Sequence, residues 1–73
     1  MDKETSYKVT KKVKIAMLED EVTQTDLANK MGISRAYLNS LLNNKAIWNF
    51  KLLKIAKLNL PSFEFDFNYF MNE

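Results

Sequence analysis

The 73-residue chain has no cysteine and no histidine. Disulfides are excluded, and so are metal sites built on thiolate or imidazole and the commonest bases and nucleophiles of catalysis. Gly32 is the one glycine, so no glycine-rich loop can cradle a phosphate. No apolar run approaches the ~20 residues that a membrane-spanning helix needs. The opening Met1-Asp2-Lys3-Glu4-Thr5-Ser6 is too polar for a signal peptide. Carboxylates do cluster, as Glu19-Asp20-Glu21 and as Glu64 with Asp66. The first group falls in an exposed connector and the second on the polar side of a tail, so neither suggests a walled pocket. These absences argue against an enzyme, a cofactor or a metal ion, and the lack of cysteine suits a cytoplasmic protein.

What is present fits one small domain. A chain of this length buries only about 60% of its unfolded surface. No cross-link supports that core, so dimerisation or ligand binding is the remaining source of stability. Charge is unevenly spread. Residues 1–58 hold all 11 Lys and Arg against six acids, whereas residues 59–73 hold three acids and no base. A basic body with an acidic end suits a nucleic-acid surface on one side and another contact elsewhere.

The most informative stretch runs from Thr23 to Leu42 and reads as two short helices joined by a tight turn. Thr23 is placed as an N-cap, and Asp26 three residues later gives an Asp version of the capping box. Leu27, Ala28 and Met31 form one apolar stripe. Gly32 then supplies the left-handed residue that ends a helix cheaply. Ile33 packs the corner, Ser34 is a second N-cap, and Leu38, Leu41 and Leu42 form the buried face of the next helix. Its other face carries Arg35, Ala36, Asn39, Ser40 and Asn43. A merely solvated face would favour Glu and Lys; this one is short of acids and rich in groups that bond base edges and phosphates.

Around this stretch the pattern predicts two more helices. Residues 1–5 read as frayed. Val9, Val13, Ala16 and Met17 then mark a helix from about Ser6 to Leu18, with Ile15 and Leu18 widening its stripe, Tyr7 closing its start, and Lys8, Lys11, Lys12 and Lys14 either a solvated face or, for one or two of them, a source of sequence-independent attraction to phosphate. Asn43 or Asn44 ends the helix after Ser34, and Ile47 and Trp48 anchor the following loop to the core. Asn49 caps a fourth helix, about Phe50 to Leu58. Beyond Pro61, Phe63, Phe65, Phe67 and Tyr69 alternate with polar residues as in a strand. A fifth helix capped by Ser62 also fits the spacing of Phe63, Phe67 and Phe70.

The stretch 23–42 resembles the helix-turn-helix of the lambda-repressor and Cro family. The resemblance rests on Gln24, Ala28, Gly32, Ser34, Leu38 and Leu41 standing in register. Steeply crossing helices need a small side chain such as Ala28 at their contact, and the turn needs a positive φ at Gly32. The resemblance implies an all-α, lambda-repressor-like domain of four helices at 1–60, with the motif at 23–42. Residues 61–73 would be an acidic aromatic tail, a short strand or fifth helix that dimerises through Phe63, Phe65, Phe67 and Tyr69. It also implies a Cro-like or repressor-like transcription regulator, of a phage or mobile element, that binds double-stranded operator DNA as a homodimer on an inverted repeat.

In that reading Arg35, Ala36, Asn39 and Ser40 face the bases of the major groove. Gln24 and Asn43 match family positions that contact phosphate, Gln24 also bracing the recognition helix. Tyr37 and Lys45 are further phosphate candidates. The competing expectation is a protein-interaction module, such as an antitoxin or a modulator of a repressor, that uses its tail to hold a protein partner.

Overall fold

Four helices carry the described part of the chain, residues 1–65 of the computed structural model: α1 (Lys3–Glu19), α2 (Gln24–Met31), α3 (Arg35–Leu42) and α4 (Phe50–Asn59). No strand occurs among these residues. Every helix starts on a side-chain oxygen that accepts a backbone N–H of the first turn. Asp2 accepts from Thr5, Thr23 from Asp26, Ser34 from Tyr37 and Asn49 from Leu52, at 2.7, 3.2, 3.0 and 2.8 Å. Each cap is worth about 1 kcal/mol. The first was not anticipated. Asp2 starts α1 at Lys3, and Thr5 and Ser6 are buried, so the opening residues do not fray as expected.

The first three helices end alike. A residue in the left-handed region follows the helix, and the next N–H reaches back five residues. Glu21 (φ 55°), Gly32 (φ 71°) and Asn44 (φ 59°) take the left-handed position. Val22 N–H bonds the Met17 carbonyl at 2.9 Å, Ile33 the Ala28 carbonyl at 3.1 Å, and Lys45 the Ser40 carbonyl at 2.8 Å. After α1 and α2 the returning residue is apolar and packs against the core, which fixes the entry to the next helix. Gly32 and Asn44 were legible in the sequence; Glu21 was not.

The core takes one stripe from each helix: Val9, Val13 and Ala16; Leu27, Ala28 and Met31; Leu38, Leu41 and Leu42; Leu52, Leu53 and Ala56. Trp48, Leu60 and Phe63 join from outside the helices. Helix α2 packs on α3 and α4, and α1 on α3. Two expectations for α1 are corrected. Ile15 and Leu18 do not widen the buried stripe but are 48% and 81% exposed. At 100° per residue both lie far round the helix from Val9, Val13 and Ala16. Tyr7 is likewise exposed rather than closing the start, and Ile47 is exposed while Trp48, with the partly buried Ala46, anchors its loop.

A buried polar node joins α1 to the region after α3. The Trp48 indole Nε1–H donates to Thr10 Oγ1 at 3.0 Å, and that hydroxyl donates to the Leu41 carbonyl at 3.1 Å. Ser6 Oγ accepts the Trp48 backbone N–H at 3.0 Å. No buried side-chain nitrogen or oxygen among the described residues lacks a partner.

Residues 60–65 form a strap against the helices. Leu60 and Phe63 are fully buried, and Phe65 packs partly on the core with its ring edge-on to Phe63, centroids 6.1 Å apart. Phe63 thus fills this chain's own core and is not available as a dimer seam, because its ring is already enclosed. Ser62 does not cap a fifth helix. Its hydroxyl and its N–H both donate to the Asp20 carboxylate, and Lys57 Nζ donates to the Phe63 carbonyl. Phe67 and Tyr69 lie outside the described residues.

Candidate nucleic-acid interface

The candidate surface follows from which residues of α3 the core consumes. Leu38, Leu41 and Leu42 point inward, and this leaves Arg35, Ala36, Tyr37 and Asn39 exposed and Ser40 half-buried. The helix is fixed at both ends. Ser34 caps its start, and at its end Ser40 O accepts two N–H groups, from Lys45 and from Ala46 at 3.1 Å. The Thr10 hydroxyl bonds its last turn through Leu41. Side chains on the outer face therefore project from a backbone held by both capping and tertiary contacts.

Several of the residues expected at the site are brought together. Gln24, at the first position of α2, donates from Nε2 to Asn39 Oδ1 at 3.3 Å. That bond ties α3 to α2. With its oxygen accepting, Asn39 retains its Nδ2 hydrogens as donors. Asn43 follows α3 and donates from its own Nδ2 to the Asn39 carbonyl at 2.9 Å, so its amide is partly used in closing the helix. Gln24, Asn39 and Asn43 share one groove with Lys14 of α1. Tyr37 and Lys45 are exposed and do not line that groove.

Electrostatics favour an anionic partner here. From Leu27 through Phe63 there is no acid, while Lys30, Arg35, Lys45, Lys51, Lys54 and Lys57 supply six positive charges. The acids flanking this run are Asp26, exposed in the first turn of α2, and Glu64, in the cleft between α1 and the strap. Asp20 is held by Ser62, whose side-chain and backbone hydrogen bonds keep its carboxyl below the ordinary aspartate range. The acid-free run is a signal visible in the sequence that strengthens the reading beyond α3 alone. The place of Lys14 could not be found that way, because only the packing of α1 on α3 brings it to the groove.

No group of three His, Cys, Asp or Glu able to hold a metal ion occurs among the described residues, and no helix there is long and apolar enough to cross a membrane. A family model described as helix-turn-helix matches residues 13–58, which span the second half of α1, all of α2 and α3, and most of α4. No curated protein and no solved structure matches the chain.

Proposed function

The chain belongs to the helix-turn-helix family of the Cro and C1 type, a DNA-binding and not an enzymatic family, and from that premise we propose that it is a sequence-specific transcription regulator that inserts α3 into the major groove of an operator. The observation that carries this reading is the exposed, acid-free outer face of α3, with its caps and its Gln24 brace. Arg35 stands at the N-terminal end, which in this docking mode lies nearest the bases, and its planar fork suits guanine O6 and N7. Asn39 offers amide donors, Ala36 a methyl for thymine, and Ser40 a hydroxyl at the same face. Gln24, Asn43, Tyr37 and Lys45 are assigned to the phosphates on either side.

One such surface spans few base pairs. Two copies on an inverted repeat, with half-sites about one helical turn apart, give the expected route to useful affinity. With Phe63 in the core, the dimer contact is assigned to Phe67 and Tyr69 together with the partly exposed Phe65, and Phe67→Asp is expected to give monomers in sedimentation. A repressor of Cro type, carried by a phage or mobile element, is the finer form of this proposal.

Binding to a random duplex pool tests it directly. Affinity should fall steeply with salt, and selected sites should share a two-fold symmetric sequence. A protein with no salt-dependent affinity for duplex would instead be a protein-interaction module. The apolar hollow that Phe50 and Leu58 line beside Lys54 and Lys57, with Leu58 84% exposed, is the feature that favours that second reading.

A further inference from the structure

The two edges of α1 carry different chemistry. Lys12, Ile15 and Glu19 recur at i, i+3 and i+7, and they line the cleft that α1 makes with the strap at Pro61, Ser62 and Glu64. Lys14, Met17 and Leu18 recur at i, i+3 and i+4, and they line the groove shared with Gln24, Asn39 and Asn43. The first edge carries acids. Glu19 and Glu64 line the strap cleft, and the Asp20 carboxylate is bonded to Ser62. Of the residues lining the groove beside the recognition helix, Lys14 is the only charged one.

We propose that Lys14 contacts a phosphate of the bound duplex, which makes α1 a third element of the nucleic-acid interface beside α2 and α3. This rests on the DNA-binding reading above. When α3 occupies the major groove, the sugar-phosphate strands run along its flanks, and the groove beside Asn39 and Asn43 is such a flank. Its polar lip holds the amides of Gln24 and Asn43, neutral donors that position a phosphate but release no counterion. An ammonium group does release one. Lys14 supplies the charge at that lip, with no acid in the groove to compete for it. The same helix keeps Lys12 on the strap side beside Glu19, where it serves as an internal control of equal charge.

The test compares Lys14→Ala and Lys12→Ala with the unaltered chain on a selected operator and on random duplex, between about 50 and 200 mM salt. Both positions are exposed, so both variants should fold. Lys14→Ala is expected to weaken binding to the two duplexes by the same factor. It should also lower the log–log salt slope by about 0.9, so that its deficit shrinks roughly three- to fourfold across that salt range. Lys12→Ala should leave the slope unchanged, and Lys14→Arg should restore it. A Lys14→Ala slope equal to that of the unaltered chain, or an equal loss in Lys12→Ala, overturns the proposal while leaving the DNA-binding reading intact. If the unaltered chain shows no salt-dependent affinity for duplex, the underlying reading fails and the proposal fails with it.

Discussion

Thr10→Val tests the link between the buried polar node and the placement of α3. The substitution keeps the shape of the side chain and replaces the hydroxyl with a methyl. Two hydrogen bonds vanish, but their consequences differ. The Leu41 carbonyl keeps another donor, the Asn44 N–H at 3.2 Å, whereas the Trp48 indole loses its acceptor inside a fully buried site. An orphaned buried donor costs about 1–3 kcal/mol. The added methyl returns up to about 0.8 kcal/mol of burial, so a net loss of roughly 1–2 kcal/mol is expected. Total stability for a chain of this length is on the order of 4–11 kcal/mol, so the variant remains folded.

The asymmetry can be isolated with Trp48→Phe, which removes the indole donor itself. In that background Thr10→Val leaves nothing orphaned and should cost close to zero. Urea unfolding followed by far-ultraviolet circular dichroism on all four chains gives the coupling energy, expected at about 1–2 kcal/mol. With a urea slope near 1 kcal/mol per molar, the single variant's midpoint should fall by about 1–2 M. Equal costs of Thr10→Val in both backgrounds, a coupling below about 0.5 kcal/mol, would refute the reasoning that the indole bond carries the penalty.

The left-handed positions give opposite signs. Gly32→Ala meets no atom within 4 Å, so its whole cost is conformational, about 1–2 kcal/mol, whereas Glu21→Gly should raise the thermal midpoint by relieving φ 55°. Phe63→Ala should cost about 3–5 kcal/mol by calorimetry if the ring is a core element, and close to zero if it is a surface element awaiting a partner. Asp20 is a depressed carboxyl, so the stability it contributes is present above its unfolded value and is lost as pH falls through the lower folded one, below about 4. Nuclear magnetic resonance titration should show its pKa returning toward the ordinary range in Ser62→Ala, and an unmoved value would remove Ser62 as the cause. Arg35→Ala should relax selection at one base position and cost roughly 1–3 kcal/mol; unchanged selectivity would remove it from the base readers.

The elements that the sequence disclosed are those whose physics is local. Thr23, Ser34 and Asn49 each bond an N–H three residues on, and Gly32 carries its own conformational licence, so a reader needs only neighbours. The features that escaped are held by distant partners. Thr10 meets Leu41 and Trp48, Ser6 meets Trp48, and Asp20 meets Ser62, at separations of 31 to 42 residues. A Thr or Ser on a lysine-rich helix gives no sign of burial until the third helix is packed against it. Ile15 and Leu18 failed for another reason. Apolarity alone does not bury a residue, because angular position decides which side of a helix meets the core.

The tail shows where period ceases to discriminate. Phe63, Phe65 and Phe67 fit a strand, and Phe63, Phe67 and Phe70 fit a helix, so spacing leaves the start of the tail undetermined. Phe63 is decided by something neither period encodes: a place in the core beside Leu60, with Asp20 and Lys57 positioned to bond the backbone on either side of that ring. The recognition face, by contrast, required little tertiary knowledge, because three leucines on an eight-residue helix fix which side remains outward. Packing adds the flank. It sets Gln24 against Asn39 and brings Lys14 to the same groove, so the proposed reader of bases is local in sequence while the charged lip beside it is a product of the fold.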